Sequence, residues 1–478
     1  VGHEPTLNLK GKKMNSFVNA VSTVQMETRT ANGMKTFDSS KSTLVDLFFT
    51  IGASRGKDLS TQFVSALKED ETLALRLLMW ARDVRGGAGE RDVVRKILLS
   101  LEKNYPETLD RILPHLAEFG RWDDLLIFKT KDVKAKAFTL IGDALRERNG
   151  LAAKWMPRQG PLAVEIRTFF GMSPKFYRKS LVNLSKTVEQ NMCANTWDEI
   201  NYSHVPSLAA SRYQKAFKKH DAEGYEAYKA KLSTGEAKVN ASAVYPYDVI
   251  KSRKFGGDDK VIQAQWDALP NFIGNELVLP VCDVSGSMSC PVGGNANLTC
   301  MDVCVSLGLY LADKNTGPFK DMFLTFSTKS KLQVLKGNLI DKLNQLQKAD
   351  WDMSTNLHSA FEAILGYAVK GNVAAGDMPK YVLVMSDMEF NHCAKHDDSA
   401  MQMIERKYKE AGYEVPNIVF WNLNARSGNV PVKHDKSGVA LVSGFSPSIM
   451  TSILKADRLD PASVMMTTLN SPRYAVIA

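Results

Sequence analysis

The chain has 478 residues, too many for one ordinary domain, and its 44% hydrophobic and 24% charged residues describe a folded, water-soluble protein with ample length for a core. Its longest apolar runs, such as Tyr381-Val-Leu-Val-Met385, fall far short of the roughly 18–20 residues a membrane span needs, and its first residues lack the basic-then-apolar order of a secretory signal. The net charge of +9 lies wholly in the first part: residues 1–270 carry 42 Lys+Arg against 32 Asp+Glu, and residues 271–478 carry 19 against 20.

Residues 1–270 show helical periodicity and little strand signal. Leu59, Phe63, Leu67, Leu73, Leu77 and Leu78 recur at spacings of three and four, and Val93, Ile97, Leu98, Leu101, Leu109, Ile112, Leu113 and Leu116 extend the pattern. Gly86-Gly87-Ala-Gly89, Tyr105-Pro106 and Gly120 punctuate it as turns between helices. Short-loop succession of such helices predicts stacked antiparallel pairs, an α-solenoid of HEAT type. Within it, residues 151–220 hold 11 basic against 4 acidic side chains, the density a polyanion partner needs. Solvation of helix faces is the other reading of the same charges. On the predicted helix around residues 208–220, Arg212, Lys215, Lys218 and Lys219 point outward, while Leu208, Tyr213, Ala216 and Phe217 face the core.

After residue 270 the pattern changes. Apolar strands are predicted at 277–282, 322–326, 381–385 and 417–421, alternating with helices at 298–313, 355–369 and 401–411. That order predicts a doubly wound, mostly parallel sheet, so the whole chain reads as α followed by α/β. Ligands bind such sheets at the carboxyl ends of the strands. There the first strand runs into Asp283-Val-Ser285-Gly-Ser287, with Thr355 and Asp387 following later strands or loops. Carboxylates and hydroxyls without His or Cys are hard donors, suited to Mg²⁺ (or Mn²⁺ or Ca²⁺).

Asp283, Ser285 and Ser287 with Thr355 and Asp387 resemble the metal-ion-dependent adhesion site of von Willebrand factor A domains. The resemblance implies that Ser285, Ser287 and Thr355 ligate the metal, directly or through water. Asp283 and Asp387 would hold the outer shell, and an open position would accept a partner's carboxylate. In the first half, Trp80-Ala-Arg-Asp83-Val-Arg-Gly86-Gly87-Ala-Gly-Glu90-Arg91 resembles a signature of Ro-autoantigen-like proteins, which join a TROVE-type helical repeat to an A domain. Phe119-Gly-Arg-Trp122-Asp123-Asp-Leu125, Leu151-Ala-Ala-Lys154-Trp155, Ala194-Asn195-Thr-Trp197-Asp-Glu-Ile200 and Leu459-Asp460-Pro461-Ala-Ser463-Val464-Met465 are similar to landmarks of a plant, fungal and phage branch of that architecture.

The resemblance implies an N-terminal arm (1–40), a TROVE/HEAT-like array (41–270), an A domain (271–445) and a C-terminal helical segment and tail (446–478). It also implies a non-enzymatic protein, monomeric and cytoplasmic, whose basic helical ring binds small or misfolded RNA. The A domain would bind a protein partner, and no membrane is expected to be involved. The RNA contacts are assigned by region to Lys154, Arg158, Arg167, Lys175, Arg178, Lys179, Arg212, Lys215, Lys218 and Lys219. A protein-only scaffold, virion-associated if the chain is phage-encoded, is the alternative from another class.

Other signals weigh less. No P-loop and no Gly-x-Ser-x-Gly occur. Around the Gly86 turn, Arg82, Asp83, Arg85, Glu90 and Arg91 are expected to pair with one another. The His-Asp dipeptides at 220, 396 and 434 lack the further ligands of a phosphohydrolase. His392-Cys393-Ala-Lys-His396 has too few ligands for zinc. Six cysteines without a Cys-x-x-Cys pair fit a reducing compartment, and Cys300 and Cys304 read as packing residues. Trp80, Trp122, Trp155 and Trp197 are either core residues or platforms for unpaired bases.

Overall fold

Asp70 shows how local chemistry sets the helical half. It ends helix Ser60–Glu69 and caps the next, Glu71–Arg82, accepting the Leu73 N–H at 2.8 Å. Pro106 opens helix Pro106–Ile112, where a missing N–H costs nothing. In helix Asp92–Asn104 the residues Val93, Val94, Ile97, Leu98 and Leu101 form one buried stripe. The computed structural model describes residues 26–478 apart from 240–243, 255, 294, 327–329, 348–355, 393–395 and 426–427. Thr355 and Cys393 therefore lie outside the described residues.

Ten strands are described. β1 (Glu27–Arg29) and β2 (Lys35–Phe37) form an antiparallel ribbon, and so do β4 (Pro291–Val292) and β5 (Asn295–Thr299). The main sheet holds β3 (Val278–Asp283), β6 (Met322–Phe326), β7 (Lys331–Val334), β8 (Tyr381–Ser386), β9 (Asn417–Asn422) and β10 (Val439–Ser443). Their order is β10-β9-β8-β3-β6-β7, parallel except for the antiparallel pair β6–β7 at one edge. The fold is thus α followed by α/β. β3, β8 and β10 are buried along their whole length, as strands covered on both faces must be, which is why they read as continuous apolar runs. The chain order reverses direction across the sheet between β3 and β8, opening a crevice at their carboxyl ends.

The two halves share one core, which runs from Met34 to Ile477. Helix Thr43–Ile51 is apolar on nearly every side because it lies against β10. The Ser443 hydroxyl donates to the Phe48 carbonyl at 2.6 Å, and Asn422 donates to the Phe49 carbonyl at 3.1 Å. A side chain at Gly52 would begin 2.8 Å from the Ser443 backbone, so only glycine permits this approach. Residues 473–477 return to the array: Arg473 and Tyr474 bind buried Asp83, and Arg76 donates to the Ile477 carbonyl at 2.9 Å. A second, smaller cluster, Tyr202, Val205, Tyr225 and Phe217 of helix Ser207–His220, stands apart from that core.

Candidate metal centre and basic groove

The crevice between β3 and β8 holds the acidic constellation. Asp283 ends β3, and its Oδ1 accepts the Ser285 N–H at 2.9 Å. Its Oδ2 accepts the Ser386 hydroxyl at 2.5 Å, from the last residue of β8. Ser285 and Ser287 place their hydroxyl oxygens 3.0 Å apart. Asp387 follows directly, with Oδ1 accepting the Glu389 N–H at 3.3 Å, and the intervening Met388 adopts φ +64°, a strained conformation for a non-glycine residue. Asp283, Ser285 and Asp387 are buried, and Ser287 is half-exposed at the mouth. Burial, reinforced by the charge of Asp387, pushes the Asp283 carboxyl up to about 7.

Two carboxylates repelling each other in a buried crevice beside paired hydroxyls suit a hard divalent cation. Among the described residues no group of three or more His, Cys, Asp or Glu side chains could hold a metal, so hydroxyls must complete any coordination here. The structure therefore brings Asp283, Ser285, Ser287 and Asp387 together; Thr355 is not among the described residues. The Ser386 contact was missed in sequence, although Ser386 directly precedes Asp387 at a predicted strand end.

Of the ten regional cations, Arg158, Lys175, Arg178, Lys179, Arg212, Lys215, Lys218 and Lys219 are exposed, and Lys154 and Arg167 are half-buried. Eight of them fall into two groups, with Lys154 on helix Gly150–Trp155 and Arg158 just after it outside both. Arg167 sits on helix Gly160–Phe169, and Lys175, Arg178 and Lys179 on helix Pro174–Ser185. Together with helix Lys131–Arg146 these helices enclose a groove of about 620 Å³, walled by Phe169, Phe170, Phe176 and Leu181 and edged by Arg146 and Arg148. Phe169 is 48% exposed and Phe176 59%. The second group lies on helix Ser207–His220, where Lys218 is engaged by Asp258 at 3.3 Å.

The tryptophans are occupied elsewhere. Trp80 is buried with its ring 4.5 Å from Phe48, Arg121 lies 3.9 Å over Trp155, and Trp197 stacks on His220 at 4.5 Å. The exposed rings at the groove are Phe169 and Phe176, neither of which is among the predicted site residues. Phe176, lodged between Lys175 and Arg178, carried the readable signal: an apolar ring inside a basic run. Leu208 also departs from expectation. It is 54% exposed, and the buried positions on that helix are Ser207, Phe217 and Gln214, whose Oε1 accepts the Asp258 N–H at 2.8 Å.

The expected ion-pair network around Gly86 is corrected. Apart from the Arg85 backbone N–H, which donates to Asp83 at 3.0 Å, its members bind outward: Arg82 to Asp124, Asp83 to Arg473 and Tyr474, the Arg85 side chain to the Glu118 carbonyl, Glu90 to Arg55, and Arg91 to Asp92. Successive positions on a tight turn point in different directions, so each finds its partner on a different element. The turn itself is as predicted, and a side chain at Gly87 would sit 1.9 Å from the Trp80 carbonyl oxygen. Asp221 caps helix Ala222–Thr234, Asp397 pairs with Arg29 at 2.8 Å, and His434 Nδ1 lies 2.9 Å from the Ser40 carbonyl, so the His-Asp dipeptides serve structure. Cys300 and Cys304 are buried. Among the described residues, no helix is long and apolar enough to cross a membrane.

Residues 278–471 match a family profile described as a domain of unknown function, DUF7788, and residues 30–138 and 164–275 match a second, DUF2828. An uncharacterized protein of Acanthamoeba polyphaga mimivirus, L728, is 28% identical over 503 aligned positions, covering 92% of this chain and 86% of the relative. Among solved structures, the RO (RSR) protein of Deinococcus radiodurans is similar at 15% identity with a TM-score of 0.47, covering 90% of this chain and 99% of that one.

Proposed function

We propose that this protein binds single-stranded RNA along the groove of helices Gly160–Phe169 and Pro174–Ser185, and that a divalent metal at Asp283, Ser285, Ser287 and Asp387 lets the sheet region take a carboxylate from a protein partner. The observation that carries the RNA reading is the pairing of exposed Phe169 and Phe176 with Arg146 and Arg148 around one groove, with the exposed cations Lys175, Arg178 and Lys179 on the helix that carries Phe176. Every base has a π-face, so phenylalanine platforms stack on unpaired bases without regard to sequence, while the cations track the phosphates. The motifs at residues 80–91 and 119–125 that resemble Ro-autoantigen-like proteins support the same reading. In the metal site the chain supplies the positioning: Ser386 and the Ser285 N–H fix the Asp283 carboxylate, and the 283–287 turn aims two hydroxyls at one point. A bound Mg²⁺ would supply a Lewis-acidic position open to a carboxylate.

The test is filter binding of a single-stranded oligoribonucleotide to wild type and to the variant carrying Phe169→Ala and Phe176→Ala. Affinity is expected to fall by about 1–3 kcal/mol for each lost stack. Unchanged affinity in a normally folded variant would remove the groove as the RNA site. Wild type that binds no RNA at low salt, yet holds a protein partner in a chelator-sensitive manner, would establish the scaffold instead.

A further inference from the structure

A second cavity, of about 510 Å³, lies where the helical array meets the β4–β5 ribbon, and it belongs to neither site above. Its lining includes four arginines, Arg55, Arg82, Arg91 and Arg121. Arg82 is the buried one: its side chain is 2% exposed, its Nε and Nη2 both bind Asp124, at 2.8 and 2.7 Å, and its Nη1 has no hydrogen-bond partner among the described residues. A buried guanidinium N–H left without an acceptor is a donor waiting for a ligand oxygen. Arg121 is held by Asp123 at 2.8 Å and flattened on Trp155, which presents a fixed fork. Arg91 is exposed at the mouth, where it reaches Asp92 at 3.2 Å. Burial and the nearby charge of Arg91 together hold the Arg121 guanidinium below its usual range, a repulsion that an anion between them would relieve.

The wall also carries three acids, Glu90, Asp92 and Asp248, against its four arginines. Glu90 is bound to Arg55 at 2.9 Å, and burial pushes its carboxyl up to about 7. Burial likewise pushes Asp248 up to about 6, and Asp92 is on the surface. Apart from Asn295, the remainder of the wall is aromatic and apolar. Tyr245 and Tyr247 stack on each other at 5.5 Å and 16°, and Leu208, exposed against expectation, lines the opening. Gly89, at φ +70°, lets Tyr245 approach: a Cβ there would lie 2.0 Å from the tyrosine oxygen.

We infer that this cavity binds a phosphate monoester of mononucleotide size, its phosphate on Arg82, Arg91 and Arg121 and its remaining part against Tyr245 and Leu208. Planar guanidinium forks match phosphate oxygens in pairs, and the volume falls within the range of small-molecule sites. The inference is independent of the RNA groove, whose residues it does not use.

The experiment is calorimetric titration and thermal unfolding of the full chain with inorganic phosphate, adenosine 5′-monophosphate, adenosine and succinate. Phosphate and the monophosphate are expected to bind and to raise the melting temperature, and adenosine and succinate to do neither. Arg91→Gln, an exposed change, and Arg121→Gln should each weaken the monophosphate by about tenfold or more, the loss of one charge-assisted pair. Unliganded Arg91→Gln should melt like wild type; if Arg121→Gln, which also loses its contacts to Asp123 and Trp155, fails to fold, Arg91→Gln alone decides. No binding of phosphate or monophosphate overturns the proposal. So does equal binding by adenosine or succinate, or wild-type affinity in Arg91→Gln. Competition then identifies the source. Displacement by a 5′-phosphorylated oligoribonucleotide but not by its 5′-hydroxyl twin assigns an RNA end, and displacement by neither assigns a free nucleotide; both uphold the phosphate monoester.

Discussion

The crevice in the sheet and the groove in the array solve opposite problems. The crevice is small and buried, and backbone that could hardly be elsewhere holds it: Asp283 and Asp387 follow adjacent parallel strands, with Ser386 tying one to the other. The groove is open, and its chemistry is spread over exposed side chains on three helices. A preorganised buried site concentrates its effect in a few atoms and resists salt. A surface of rings and cations distributes its effect, and salt screens it. Losing one residue should therefore cripple the first and only weaken the second.

The strongest way to break that contrast is to ask whether the two regions are separate at all. Phe48→Ala removes a fully buried ring between β10 and Trp80 and is expected to cost about 3–5 kcal/mol. Helical and tryptophan signals should shift together in urea unfolding, because one core serves both regions. Two separated transitions would show instead that array and sheet fold alone.

Next in size is metal linkage. Mg²⁺ at about 100 times its dissociation constant should stabilise wild type by about 2.7 kcal/mol, and Asp387→Ala should abolish the gain. An equal melting shift in the variant would place any Mg²⁺ effect elsewhere. The basic surface should behave differently. Replacing Lys215, Lys218 and Lys219 with Gln is expected to reduce the salt dependence of RNA binding by about 0.7 in log–log slope for each phosphate no longer neutralised, without changing metal stabilisation. A slope equal to wild type would exclude helix Ser207–His220 from the RNA path.

The smallest effect is a pH dependence at the junction. Burial raises the Asp83 carboxyl, but hydrogen bonds from Arg473, the Arg85 N–H and Tyr474 outweigh it, so its folded pKa lies below the ordinary value. A depressed carboxylate contributes stability that is complete above the unfolded pKa, about 3.9, and is lost as pH falls through the folded one. Asp83→Asn should therefore lower stability at neutral pH and flatten its decline below about pH 4. Parallel acid-denaturation curves for variant and wild type would discount this tether.

Much of this was legible in the residues. The helix stripes of residues 59–116 follow from spacing, and the strands at 278–283, 381–386 and 417–422 follow from apolar runs bounded by polar turns. The Asp283-x-Ser285-x-Ser287 turn was visible because its donors are two residues apart on one segment. β10, another apolar run after Gly438, carried a similar signal and was overlooked, as was the short edge strand β7.

Other features are not local and have no signature in spacing. Helix Thr43–Ile51 reads as merely hydrophobic; only the sheet explains why it is buried, because β10 needs a cover. Phe169 and Phe170 are neighbours of equal hydrophobicity, yet Phe169 stays half exposed, edge-on to Phe138 at 5.4 Å, and only the packing of three helices decides that. Arg82 could have paired with Asp83 at its side and is bound instead by Asp124, 42 positions away. Periodicity and turn chemistry are properties of a few adjacent residues, so the sequence determined the elements and the hard-donor turn. Exposure and pairing depend on which distant surface arrives opposite a side chain, so the groove's aromatic floor and the arginine cavity were decided only when the chain closed on itself.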